Sequence, residues 1–223
     1  MTPTLINNGK SPDDYLNVSA TFWLPPDTPF GNLTAKLMKL ILRLDQTNRR
    51  LIESFEYWSI AVTPQPHPNA ASRHEYATEE AIYMMRRAAD DLIAMISFLS
   101  DWQTAGKYPS AIRVDCIGAL IENDKLPGWT KLFTPHTQTL RDLNEVSNAF
   151  KHSFIHGDTT RVGVTEPMVT ALALKRNKLQ SGIHFHCVLM RDMVNGFNAF
   201  YADCFEWLRA FSVNHRPGAS AAS

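Results

Sequence analysis

Residues 81–102 read Ala81-Ile-Tyr-Met-Met-Arg-Arg-Ala-Ala-Asp-Asp-Leu-Ile-Ala-Met-Ile-Ser-Phe-Leu-Ser-Asp-Trp102. Within this stretch Ile82, Met85, Ala89, Leu92, Ile96 and Leu99 recur at alternating steps of three and four, the spacing that keeps side chains on one side of an α-helix. Ala81, Met84, Ala88, Met95, Phe98 and Trp102 form a second stripe beside the first. A helix apolar over so wide an arc must be packed on two sides, so the spacing predicts a helix over about His74 to Trp102 inside a bundle.

The neighbouring segments extend this pattern. Pro64, Pro66 and Pro68 interrupt the chain at Thr63–Ser72, because each proline ring removes a backbone donor. Before that break, Leu33, Leu37, Leu40, Leu44, Leu51, Phe55 and Trp58 predict an amphipathic helix from Asn32 to about Ile60. Residues 1–30 hold Pro3, Pro12, Pro25, Pro26 and Pro29 and are expected to form an arm without regular helix, stapled to the body by Phe22, Trp23 and Leu24.

After residue 102 come Gly106, Pro109, Gly118, Pro127, Gly128 and Pro135, which predict a connection with at most one short helix near Ile112–Glu122. A third long helix is expected from Thr137 to Ile155. The period then changes to two: Val169, Ala171 and Ala173 alternate with Thr170, Leu172 and Leu174. Ile183, Phe185 and Cys187 alternate with His184, His186 and Val188. With Asn177 and Gly182 between them, these runs predict a β-hairpin within about 162–189. Met193, Phe197, Phe200, Cys204, Trp207 and Phe211 restore helical spacing to about Ser212, and 214–223 is expected to be a disordered tail. The predicted fold is mainly α. Four long helices form an up-down bundle in one domain, 31–213, with the hairpin inserted before the last helix.

The composition agrees with a globular chain: 223 residues, 44% hydrophobic and 20% charged. Twenty-two basic residues balance 22 acidic ones, so no global field draws the chain onto a nucleic-acid backbone, and any such contact must be local. Cys116, Cys187 and Cys204 have no metal-ligand spacing and read as thiols of a reducing compartment, which makes the cytoplasm the expected location. Met1 to Asp14 lacks the apolar core of a secretory signal, and no apolar run approaches a membrane span, so no membrane association is expected.

The third helix carries the chemistry-bearing string, Leu140-Arg-Asp-Leu-Asn-Glu-Val-Ser-Asn-Ala-Phe-Lys-His-Ser-Phe154. At about 100° per residue, Leu140, Leu143, Val146, Phe150 and Phe154 share one face. Arg141, Asn144, Asn148, Lys151, His152 and Ile155 share the other. Asparagine donates and accepts, lysine holds a positive charge, and histidine titrates near neutrality. Together they could serve an anion site or general acid–base work, or simply form a solvated face.

On the second helix Arg87 and Asp91, four apart, fall within the arc of Met84, Ala88, Met95 and Phe98 and are expected to form a buried ion pair. Arg86 and Asp90 fall on the polar side with Glu79 and Ser97. That pair reads either as a bundle salt bridge or as part of a site. His184 and His186 share a strand face and could ligate a metal, but without a third ligand an exposed hairpin face is the expectation. His136 and His156 flank the third helix, at loop positions that spacing cannot place. There is no Rossmann glycine fingerprint, phosphate-binding loop or zinc-protease motif, and no cofactor or metal is implied.

An Arg-x-x-x-Asp pair on one bundle helix, with Leu-Asn-x-x-x-Asn-x-x-Lys-His on a later one, resembles the HEPN-like helical-bundle proteins. The residues that carry the resemblance are Arg87 and Asp91, then Leu143, Asn144, Asn148, Lys151 and His152. It covers about residues 32–156, with the last helix matching in layout. The resemblance implies a helical bundle, a homodimer, and a defence or regulatory role. Catalytic members of the class are metal-independent ribonucleases whose arginine stands a few residues before the histidine, whereas here Arg141 precedes His152 by eleven positions. Two functions follow as expectations. One is a noncatalytic dimeric or partner-binding module; the other is a ribonuclease, with RNA or a nucleotide as ligand and His152, Lys151, Asn148, Arg87 and Asp91 as its candidate catalytic residues.

Overall fold

The computed structural model describes residues 2–7, 22–63, 68–122, 128–152, 165–174, 178 and 182–217. Helix α1 spans Leu33–Ala61. The Asn32 side chain accepts the Ala35 amide at 2.9 Å and so satisfies one of the donors that a first turn leaves open. Leu33, Leu37, Leu40, Ile41, Leu44 and Leu51 are buried, while Phe55 and Trp58 are half-buried.

Helix α2 spans Ala70–Ala105, longer at both ends than its apolar stripes, and begins two residues after Pro68. Gly106 ends it at φ 66°, with its amide bonded to the Trp102 carbonyl at 2.9 Å. A residue without a Cβ takes this left-handed cap without strain. The first apolar stripe, Ile82 to Leu99, is fully buried, as are Ala81, Ala88, Met95 and Phe98 of the second. Each large aliphatic side chain so buried contributes roughly 1.5–3 kcal/mol. Helix α2 packs against α1 on one side. On the others it meets α3 (Ile117–Glu122), α4 (Thr137–His152) and α5 (Met190–His215).

Cross-links between helices fix the directions. Ser54 meets Thr78, Arg50 reaches Glu80 and Arg43 reaches Asp91, so α1 and α2 are antiparallel. His136, just before α4, bonds Asp203, while Gly196 faces Thr139, so α4 and α5 are antiparallel too. The Trp102 ring lies 5.6 Å from Phe211 and 5.1 Å from His215, which brings the C-terminal ends of α2 and α5 together. The four long helices therefore alternate up and down.

The short helix begins at Ile117 and not at Ile112, at a point where the Asp90 carboxylate accepts the Ile117 amide at 2.9 Å. Two short 3₁₀ turns, Gly128–Leu132 and Thr134–His136, lead into α4. The last positions expected in that helix, 153–155, lie outside the described residues, as do His156 and Asn177.

Strands β1 (Met168–Leu174) and β2 (Ile183–Leu189) form the antiparallel hairpin, with Met168 opposite Leu189 and Leu174 opposite Ile183. Strand β1 packs on α4 with Val169 and Ala171 buried, whereas Ile183 and Phe185 are exposed. Strand β2 runs directly into α5, which starts at Met190, ahead of the expected Met193.

Helix α5 also runs past the expected start of a disordered tail at 214. The His215 ring stacks 4.4 Å from Phe211 and its Nδ1 bonds the Phe211 carbonyl, so packing holds the last turn. In the arm, Leu24 is buried and Phe22 meets Phe205 edge-on at 4.9 Å. The Thr34 hydroxyl accepts the Leu24 amide at 2.9 Å and donates to its carbonyl at 2.8 Å.

Candidate functional site

The residues of the expected site stand on two helices, Arg87 and Asp91 on α2 and Asn148, Lys151 and His152 on α4. Lys151 and His152 are exposed in the last turn of α4, and Asn148 is half-buried one turn before them. A basic last turn complements the negative end of the helix dipole, so these two residues also suit a purely local role. Asn144, a further turn back, has its carbonyl oxygen buried without a hydrogen-bond partner among the described residues.

Arg87 and Asp91 do not form a buried pair. The Arg87 side chain is 57% exposed and Asp91 33%, with 3.6 Å between them. The stronger partner of Asp91 is Arg43 of α1. Among the described residues, the ion pairs of this couple reach α1 and none reaches α4.

The other carboxylates of α2 turn inward instead. Asp90 is buried and accepts the first amide of α3, while Asp101 is buried and held by the Arg113 guanidinium. Burial pushes the Asp90 carboxyl above its usual value, opposed by the Ile117 amide and by Arg86. The reason for this exchange of faces is the cover laid over the second half of α2. Tyr76 and Tyr83 show that this side is open in the first half. From Asp90 onward, Arg113 and Ile117 bring the connecting segment across it.

A polar cluster not anticipated from spacing joins α1 to α2. The Ser54 hydroxyl lies 2.8 Å from the Thr78 hydroxyl and 3.1 Å from His74 Nδ1, and Nδ1 lies 2.9 Å from the Ser54 carbonyl. A serine beside a histidine suggests a nucleophile and its base. The geometry argues otherwise. A carbonyl oxygen can only accept, so the proton of the ring sits on Nδ1, and the serine hydroxyl therefore meets a donor and turns its own proton to Thr78. Burial lowers the His74 pKa below its usual value, which keeps the ring neutral. The cluster is a neutral polar clip between helices, and its one sequence signal was Ser54 at the apolar spacing three residues after Leu51.

Ser54 also borders a cavity of about 160 Å³ with Phe55, Pro167, Met190, Glu166 and Arg191, below the roughly 300–1,000 Å³ of small-molecule pockets. Elsewhere His136 Nε2 contacts Asp203 at 2.7 Å. His186, with a side chain 15% exposed, faces Glu145 of α4 at 3.9 Å. His184 is exposed on the same strand face. Among the described residues no three potential metal ligands cluster, and no helix is long and apolar enough to cross a membrane. Burial raises the pKa of the Cys204 thiol well above its usual value, while Cys116 and Cys187 are half-buried.

Comparison of the chain with family models, curated proteins and solved structures returns no match.

Proposed function

We infer that this chain is a noncatalytic, partner-binding helical bundle of the HEPN-like kind, self-associating and serving a defence or regulatory role. One observation carries the noncatalytic part. The Arg87–Asp91 couple braces α2 against Arg43 of α1, while Lys151 and His152 end α4 at the surface. General acid–base catalysis requires its groups within hydrogen-bond reach of one substrate, and the ion pairs of this couple serve helix packing instead. The inward-facing Asp90 and His74 likewise hold helices together, and Asp101 holds the segment before α3. The HEPN-like string supports the dimeric state.

The alternative is a metal-independent ribonuclease using His152 with Lys151 or Arg87. It is favoured by one feature: Lys151 and His152 are adjacent and both accessible to a phosphodiester. Incubating wild type and His152→Ala with single-stranded RNA separates the two. The expected result is no cleavage above buffer by either protein, with the thermal midpoint of the variant nearly unchanged. Cleavage by wild type that His152→Ala abolishes would establish the ribonuclease instead. Sedimentation equilibrium tests self-association.

A further inference from the structure

The segment Thr2–Asn7 lies extended against α1 and α5, held by two asparagine side chains in a way that resembles strand pairing. The Asn48 carbonyl oxygen accepts the Ile6 amide at 2.7 Å, and its NH₂ donates to the Ile6 carbonyl at 2.9 Å. On the other edge, Asn198 accepts the Asn7 amide at 2.7 Å and donates to the Leu5 carbonyl at 3.0 Å. In an extended chain the N–H and C=O of one residue point to one edge, and those of its neighbours to the other. A carboxamide offers one acceptor beside one donor, as a neighbouring strand does. Two helices thus provide what two flanking strands would, and they read the backbone, not the sequence.

Specificity comes from a single anchor. Ile6 is 2% exposed, whereas Thr2 and Asn7 are exposed. Asn48 is 1% exposed within the apolar face of α1, and asparagine is a poor helix former. With the segment in place both hydrogen-bonding atoms of this buried amide are satisfied by the Ile6 backbone, so the position is matched to an extended occupant. The crevice also continues beyond the anchor. The cavity beside Thr2 and Thr4 is walled largely by Leu51, Phe55, Pro167 and Met190, and Glu166 and Arg191, which also line it, pair with each other at 3.3 Å.

We propose that the crevice between α1 and α5 is a receptor for an extended segment of a partner protein, and that Thr2–Asn7 is its internal occupant, displaced when the partner binds. The fitting segment is uncharged, with a branched aliphatic residue in the place of Ile6. It carries a bulky apolar side chain in the place of Thr4 or Thr2, which lie on the same side of an extended chain as Ile6. The cavity decides for such a partner over a second copy of this chain. A second copy would bring the same Thr2 and Thr4 and repeat existing contacts, whereas a larger side chain gains new ones. Displacement is a competition, because a tethered segment acts at an effective concentration on the order of millimolar. The proposal rests on the reading of the chain as a binding module and names its receiving surface.

The test uses two fluorescent peptides, Thr-Pro-Thr-Leu-Ile-Asn and the same sequence with phenylalanine in the place of Thr4. Their binding to the full chain is followed by anisotropy. Ile6→Asp, which removes the internal anchor, is expected to bind the first peptide at least tenfold more tightly than wild type does. The phenylalanine peptide should bind about tenfold more tightly again. Adding Asn48→Ala to Ile6→Asp should abolish binding. If that double variant fails to fold, Asn198→Ala in the same background should weaken binding at least fivefold. A folded Ile6→Asp chain that binds neither peptide overturns the proposal, as does binding indifferent to both asparagines. A wild-type dimer that exchanges its N-terminal segments would assign the crevice to a second copy and overturn it equally. The RNA assay is independent: cleavage removes the binding-module reading, whereas loss of peptide binding without cleavage removes only this crevice.

Discussion

Gly196 on α5 faces α4 so closely that its replacement by alanine is expected to destabilise the protein, although alanine is the better helix former. A Cβ at this position would stand 2.4 Å from Thr139 Oγ1, 2.8 Å from Cγ2 and 3.2 Å from Cβ. Rotation of the threonine side chain gives no escape, since two of its three substituents are heavy atoms and one must always face the new methyl. The helices must separate locally, and overpacking of this kind costs about 1–3 kcal/mol. Against this, exchanging glycine for alanine inside a helix contributes roughly 0.5–1 kcal/mol. The difference is a net loss centred on about 1 kcal/mol, within a range of roughly 0–2.5 kcal/mol, which corresponds to about 2–4 °C in Tm at the centre for a chain of this size. Urea denaturation of Gly196→Ala, Thr139→Ala and the double variant checks the account. Thr139→Ala removes the two closest atoms and leaves, of the three nearest, the contact at 3.2 Å, so in that background Gly196→Ala should be neutral or stabilising. An equal cost of Gly196→Ala in both backgrounds would refute the close approach of α4 and α5.

Three further outcomes are expected. Because burial raises the Asp90 pKa, folding favours its protonated form, and the contribution of this group to stability declines as pH rises from 3.8 through the raised value. Asp90→Asn keeps the acceptor for the Ile117 amide, so it should flatten this decline and unfold at pH 7 no lower than wild type. Asp90→Ala, which leaves that amide unpaired, should cost about 1–3 kcal/mol. For His74, the lowered pKa means that the unfolded chain takes up the proton first, so stability falls as pH drops below 6.5. Thermal melts of His74→Gln should show a shallower loss than wild type between pH 6.5 and 5. Arg43 and Asp91, 29% and 33% exposed, should couple by only about 0.2–1 kcal/mol in a double-mutant cycle. A coupling above about 3 kcal/mol would restore the buried pair that spacing suggested.

Most of the fold was legible because apolar spacing measures a helix directly. The two stripes of α2 required neighbours on two sides, and α1 and α4 supply them. The change of period after the third helix located the hairpin, and its register leaves Ile183 and Phe185 on one face and His184 and His186 on the other. Ends were less legible, for identifiable reasons. The start of α3 depends on the carboxylate of Asp90, which is remote in sequence. The last turn of α5 depends on the ring of Trp102 against His215. Neither contact leaves a mark on the local pattern.

The site was less legible than the fold, because periodicity gives a direction around a helix but not what covers that direction. Asp90 and Asp91 are consecutive and about 100° apart, and spacing turned the second inward. The segment carrying Arg113 and Ile117 instead covers the side of Asp90 and Asp101, and leaves Asp91 to Arg43. A polar residue at an apolar position is the more reliable sign. Asn48 stands four residues after Leu44 and three before Leu51, each of them buried, where a stripe calls for leucine. A carboxamide there is tolerated only if a backbone meets both of its hydrogen-bonding atoms, and Ile6 provides that backbone. Ser54, three residues beyond Leu51, follows the same logic, with its partners Thr78 and His74 on the facing helix. The polar residues embedded in the stripe of α1 therefore mark where chain other than apolar side chains must approach, whereas the charged couple of α2 lies at the surface and pairs there with Arg43 of α1.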